Sequence, residues 1–337
     1  KSVLNLTEPD YNENNLSELL LEKSYYDLNL DFYKRIFRSI TGWPGGKPNS
    51  DDNGRPERSK PSKKRVLIFS PHPDDDVISM GGTFDRLVSQ GHEVHVVYQT
   101  SGNIAVSNSD VLKFLEVINS TFPDCKCKNE ELIGLLKNST EIINNPRVRE
   151  IAATIREKES LAATRFIGIS DHNVHFLKLP FYETGGIKKS TPTELDLKLT
   201  NEIISKIKPH QIYAAGDLAD PHGTHKVCLD ILFDAIEKLK NESFMKDCWV
   251  WLYRGAWHEW PIHEIDMAVP MSPFQVLRKR KAIFYHQTQK DNVMFQGDDN
   301  REFWVRTEDR NRAIAKKFRD IGMSDYSAIE TFKRYYF

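Results

Sequence analysis

Ser70-Pro-His-Pro-Asp-Asp-Asp76 sets one imidazole and three consecutive carboxylates directly after a short apolar run, Val66 to Phe69. His72 and Asp75 stand three apart in a loop just past that run, so both side chains can converge on one ion. A neutral imidazole with a carboxylate suits zinc. Asp74 or Asp76 then remains beside the ion, free to act on a bound water. A structural role competes with this one, because acidic side chains at the first turn of a helix cap its free N–H groups and are favoured by its dipole. A second stretch, His222-Gly-Thr-His225, tips the balance towards chemistry. It also follows an apolar run, Gln211 to Ala215, and opens a helix, and imidazoles at i and i+3 are neighbours on one side of a turn. It supplies the third ligand that His72 and Asp75 lack, and a spare imidazole. Three protein ligands with one open position define a catalytic rather than a structural zinc site.

Both loops need a sheet to deliver them. Val66–Phe69 reads as a central parallel strand, apolar on both faces. Residues 77–90 read as a helix and Val94–Tyr98 as the next strand, a βαβ unit that implies a parallel sheet. Thr100-Ser-Gly-Asn103 then lies at the edge where open α/β sheets place ligands. Residues 107–145 are polar, helix-prone and read as an insertion. A long helix is expected over 147–168, stopped by Gly168. Strands follow at 174–179, 211–215 and 249–253, with helices at 195–208 and 226–239. The tail is expected to end in two helices, 308–320 and 325–335. Ahead of the sheet, residues 14–24 and 29–40 read as amphipathic helices and 42–64 as a Pro/Gly-punctuated linker. The expected fold is therefore α/β: a Rossmann-like three-layer sandwich with a mostly parallel sheet. Residues 1–63 form a helical N-terminal appendage and linker, and 64–337 a catalytic domain with a helical C-terminal extension.

Composition removes several classes of function. Lys and Arg number 47 against 48 Asp and Glu, so no basic footprint for nucleic acid or an anionic membrane exists. No apolar run reaches the roughly 18 residues of a membrane span, and the first ten residues lack a signal-peptide core. Four cysteines imply no disulfide framework, and Cys125-Lys-Cys127 is too tightly spaced for a zinc ribbon. Reduced thiols in a cytoplasmic protein are expected. No G-x-G-x-x-G follows the first strand, which argues against dinucleotide binding.

Ser70-Pro-His-Pro-Asp-Asp-Asp76 resembles the His-Pro-Asp-Asp signature of the LmbE/PIG-L zinc deacetylases. His222-x-x-His225 is similar to that family's second motif, and Arg156-x-x-Glu159 to its Arg-x-x-Glu helix. The resemblance spans residues 64–260. It implies that His72, Asp75 and His225 ligate Zn2+, that Asp74 is the general base, and that His222 stabilises the oxyanion as an N-acetyl amino sugar is hydrolysed to acetate and free amine. Two departures stand out. Asp76 replaces the usual Glu, and Thr224 replaces the aspartate that holds the charged histidine, so His222 must find another partner, Asp217 or Asp220. Glu183 and its neighbours also replace the family's Pro-Asp after the third strand.

His286-Gln-Thr-Gln289 and the 216–225 loop resemble a bacterial branch fused behind a glucosamine-6-phosphate deaminase-like domain. That implies a small amino sugar, with N-acetylglucosamine 6-phosphate a candidate, and a fused or associated deaminase-like domain as partner. Homo-oligomerisation is left open. Arg156, Arg254 and Lys226 are candidate substrate contacts, and Tyr182, Trp257 and Trp260 candidate stacking faces. The same types serve equally as ion-pair or core residues. Two rivals remain. One is a metal-dependent phosphoesterase, needing a second metal for which Asp74, Asp76 and His286 are candidates. The other is a sugar-binding or assembly module without turnover.

Overall fold

Seven strands form one sheet in the order β3-β2-β1-β4-β5-β7-β6, comprising β1 (Arg65–Ser70), β2 (Glu93–Tyr98), β3 (Val174–Phe176), β4 (Gln211–Ala215), β5 (Trp249–Tyr253), β6 (Met267–Met271) and β7 (Ala328–Tyr335). The computed structural model describes residues 1–122, 126–138, 145–184, 188–218, 223–255, 258–290 and 301–337, with the side chains of 126–128 excepted. Strands β1 to β5 are parallel, and β7 runs antiparallel to both β5 and β6.

The chain leaves β1 for β2 and β3 on one side and later returns to lay β4 on the other. The carboxyl ends of β1 and β4 are therefore neighbours at the point where strand order reverses. Open α/β sheets have their ligand crevice there. Alternation along the strands feeds two cores. Leu67, Phe69, Ile212 and Val250 face helices α7 (Glu194–Ile207), α8 (Thr224–Leu239) and α10 (Phe303–Asp320). Val66, Ile68, Val96 and Tyr213 face α3 (Asp75–Ser89), α6 (Pro146–Ile167) and α9 (Pro273–Phe284). This is the expected three-layer α/β sandwich.

The ends of the chain differ from expectation. Residues 325–335 are not a helix. They contribute β7, because Ile329 and Phe332 bury in opposite cores, a period-2 pattern that a helix would break. β6 escaped notice because a proline, Pro270, argues against a strand in sequence; β6 is the sheet's edge strand, where a proline is tolerated. Residues 14–24 hold only a 3-10 turn, Ser17–Leu21, after the short α1 (Glu8–Glu13). Leu19 and Leu21 stay 40% and 84% exposed, so no core rewards a longer helix there. The second amphipathic segment forms α2 (Tyr25–Ser39), and its Tyr33 and Ile36 pack on the α10 side of the sheet. The 42–64 stretch is tied down rather than loose: Gln211 Nε2 donates to the Pro44 carbonyl at 3.0 Å. The segment expected as an insertion holds α4 (Asn108–Thr121) and α5 (Lys126–Asn138).

α3 is two helices joined at Met80, whose φ of −134° and ψ of 25° break the spiral. The second segment starts with buried backbone donors that lack intrahelical acceptors, and Glu330 on β7 caps them. Its carboxylate accepts from Gly82 N at 3.0 Å, Thr83 N at 2.6 Å and Thr83 Oγ1 at 2.6 Å. Lys279 of α9 neutralises it at 2.8 Å, and both residues are 1% exposed.

Candidate metal centre

The loop after β1 is built by its own polar side chains. Ser70 Oγ donates to the His72 carbonyl at 2.6 Å and accepts from Asp76 N at 3.0 Å, turning the chain tightly. Thr100, past β2, fixes the same loop by donating its backbone N–H (3.1 Å) and hydroxyl (2.7 Å) to the Pro71 carbonyl. Asp74 sits at φ 152° and ψ −23°, a backbone conformation that disfavours side chains other than glycine's. Strain of this kind persists where surrounding bonds over-determine it, and it gathers at functional sites.

Three side chains meet above this loop. One Asp75 oxygen, Oδ2, lies 3.1 Å from His72 Nδ1 and 3.1 Å from His225 Nε2. One ligand atom from each of His72, Asp75 and His225 falls within 4.8 Å of the others. His225 is in the first turn of α8, and its Nδ1 is 3.1 Å from the Asp217 carbonyl. A carbonyl only accepts, so Nδ1 carries the proton and the Nε2 lone pair is left for the centre, the arrangement that orients metal-ligating histidines. Burial opposes ionisation of Asp75, but the adjacent His225 and His72 imidazoles outweigh it and hold the carboxyl below the usual range. Two imidazole nitrogens and a carboxylate oxygen fit a divalent ion such as zinc.

The other two carboxylates have separate surroundings. Asp74 is 5% exposed, and burial pushes its pKa up to about 6 while Arg156 opposes the rise. Arg156 Nη2 bonds both Asp74 Oδ2, at 3.1 Å, and the Pro73 carbonyl, at 2.5 Å. Asp76 is fully buried beneath the loop, where the Tyr98 hydroxyl donates to it at 3.0 Å, and burial lifts its pKa to about 7. Its place is structural: it braces the turn that Ser70 makes.

The remaining candidates divide. Tyr182 is 2% exposed with its ring edge-on to His72, centroids 6.0 Å apart, so it borders the centre as wall rather than as open platform. Arg254 donates to the Gly216 carbonyl at 3.0 Å and stacks on Trp260 at 3.7 Å. Trp260 is buried and gives its indole N–H to the Leu252 carbonyl at 3.1 Å, so it is core. Lys226 pairs with Asp230 on the exposed side of α8. His222, Asp220 and Trp257 lie outside the described residues. Two contributions escaped sequence reasoning. The Asp217 carbonyl is a backbone group and leaves no side-chain signal. Asn103 Nδ2 donates to Glu183 Oε2 at 3.1 Å, linking the loops after β2 and β3.

Residues 67–236, half of the chain, match the family model PIG-L, GlcNAc-PI de-N-acetylase. The chain belongs to the PIG-L family. It is 49% identical over 99% of its length to a glucosamine-6-phosphate deaminase-like protein of Bacteroides thetaiotaomicron, of which it covers 52%. It is 26% identical over 45% of its length to a diacetylchitobiose deacetylase of Thermococcus kodakarensis, of which it covers 59%. The chain thus spans little more than half of either curated relative. Among solved structures, N,N'-diacetylchitobiose deacetylase of Pyrococcus horikoshii aligns over 81% of this chain and 84% of its own, with TM-score 0.51 and 21% identity. GalB, a 4-carboxy-2-hydroxymuconate hydratase of Pseudomonas putida KT2440, aligns over 81% and 97%, with TM-score 0.53 and 16% identity. These two show the α/β fold and, at such identities, nothing finer. No helix among the described residues is long and apolar enough to cross a membrane.

Proposed function

We propose that this PIG-L family protein is a zinc-dependent amidohydrolase that removes the N-acetyl group of a small amino sugar, releasing acetate and a free amine. The observation that carries the reading is the convergence of His72, Asp75 and His225 at the switch point of the sheet. A zinc ion on these three residues would supply the electrophile, lowering the pKa of water and polarising the acetyl carbonyl. Asp74 is the general base: Arg156 holds its carboxylate next to the ligands, where it takes a proton from the attacking water and returns it to the leaving amine. His222 is assigned to the developing oxyanion, where one donor is typically worth about 3 kcal/mol. Arg156, Arg254, Tyr182 and Trp257 are the assigned substrate contacts. Among these, Arg156 and Tyr182 have described positions bordering the centre.

N-acetylglucosamine derivatives are the proposed substrates, and the 6-phosphate is the first variant to compare. A cytoplasmic setting accords with Cys248, which is buried and in no disulfide among the described residues. The test is acetate release from N-acetylglucosamine, its 6-phosphate and diacetylchitobiose, with and without a chelator. We expect release from at least one substrate, abolished by the chelator and restored by zinc. Phosphate release with two metal equivalents per chain would instead identify a phosphoesterase. Absence of any release, with sugar binding kept, would identify the binding module.

A further inference from the structure

Tyr285-His-Gln-Thr-Gln289, just past α9, is the sequence feature that the proposed chemistry leaves over. His286 is 1% exposed, yet among the described residues neither of its ring nitrogens has a hydrogen-bond partner. Native interiors leave very few polar atoms unmet, and those that remain call for an explanation. The neighbouring residues fix where this ring lies. Tyr285 packs on Phe166 of α6, with ring centroids 5.3 Å apart. Thr288 gives its backbone N–H and its hydroxyl to the two oxygens of Glu159, each at 2.8 Å. Gln289 Nε2 donates to the Ala105 carbonyl at 2.8 Å. Residues 285–289 therefore lie along α6, and Glu159 is one helical turn from Arg156 on the same face.

Arg156 has the complementary deficit. Its Nη2 serves Pro73 and Asp74, while Nε and Nη1 are buried without partners among the described residues. Glu159, the nearest acceptor along the helix, already receives both bonds from Thr288. Burial, then the charge of Arg156, push the His286 imidazole down to about 3 against the opposing pull of Asp75, so the ring is neutral and keeps a lone pair. A guanidinium only donates, and a neutral imidazole offers one acceptor. Nε–H and Nη1–H point to opposite sides of the guanidinium, so a water takes one of them; donating also to that imidazole nitrogen, it has two polar partners, within the two to four that buried waters need.

We propose that His286 is a positioning residue for Arg156: through one bridging water its lone pair engages one unmet N–H of the guanidinium and keeps Nη2 on Pro73 and Asp74. The effect on turnover rests on the deacetylase reading, but the coupling between His286 and Arg156 does not. His286→Phe keeps the ring's volume without its nitrogens, and His286→Gln restores a side-chain acceptor. In the zinc-loaded full chain we expect His286→Phe to lower kcat for acetate release about 10- to 100-fold with KM within about twofold. His286→Gln should recover kcat to within about threefold of wild type. A raised KM at unchanged kcat would place His286 on the substrate and overturn the proposal.

The second readout needs no turnover. Urea midpoints are measured for His286→Phe, Arg156→Met and the double variant. We expect the double shift to be clearly smaller than the sum of the single shifts, as for residues sharing one network. Additive shifts overturn the proposal. If His286→Phe does not fold, His286→Leu takes its place in the same cycle. If wild type releases no acetate from any N-acetyl sugar, the deacetylase reading falls and the cycle alone decides the role of His286.

Discussion

Asp75 touches two imidazoles through a single oxygen, and the ring of His225 is turned by a backbone carbonyl rather than by a side chain. Removing any one ligand leaves too few donors for a tetrahedral ion. We expect His225→Ala and Asp75→Asn each to drop bound zinc from about one equivalent per chain to a small fraction after dialysis, read by elemental analysis. Full retention in either variant would put the ion elsewhere. Asp74 differs in kind, since it pairs with Arg156 and is no ligand in this geometry. Asp74→Asn should keep the metal yet slow acetate release by about 10²–10⁴-fold, the usual range for a general base. Unchanged turnover would remove Asp74 from that role. At this scale the sequence was informative wherever a cluster is made by side chains at fixed spacing, as with His72, Asp75 and His225. It said nothing of the Asp217 carbonyl, because every residue has one.

Among the elements, α3 illustrates how far a local reading reaches. Its apolar pattern announces a helix, but the break at Met80 and its repair by Glu330 depend on a strand some 250 positions later. β7 was legible as a periodic apolar segment and was assigned the wrong period. Glu330 at a buried strand position looks like one polar member of a helical stripe until its partners Gly82, Thr83 and Lys279 are known. Breaking a buried, hydrogen-bonded charge pair typically costs about 3–5 kcal/mol. Glu330→Ala should destabilise the protein by about that amount in urea unfolding. A loss below about 1 kcal/mol would mean that water enters and solvates Lys279. Gly82→Ala is expected to hurt as well, since a Cβ there would stand 2.2 Å from Met271 Sδ. The cost of such overpacking is about 1–3 kcal/mol, visible as a lower Tm.

For the molecule as a whole, the mostly parallel sheet was the legible part. A βαβ unit and apolar runs at β4 and β5 were enough to place both loops at carboxyl ends of strands, where the switch point brings them together. The pH dependence of stability was not legible, because it comes from burial. Burial pushes Glu259 up to about 7, against opposing effects from Lys279, the Thr331 bond and Arg310. A carboxyl whose folded pKa is raised stabilises fully below its unfolded pKa near 4.5, and that contribution is lost as pH rises through about 7. His92 and His175 act with the opposite sign. Burial lowers both to about 4, so each costs stability as pH falls from about 6.5 towards that value. Glu259→Gln should therefore gain stability relative to wild type as pH rises from 5 to 8, in unfolding curves on metal-free protein. A constant difference across that range would show that Glu259 does not titrate there. The Glu330 cap has a further, temporal consequence. The second segment of α3, which continues the one that carries Asp75, is secured by a residue made among the last in these 337, so on a ribosome His72 and Asp75 exist long before that support is made. If these residues hold a metal as proposed, its stable loading would be a late event, favoured in chains whose synthesis has passed β7.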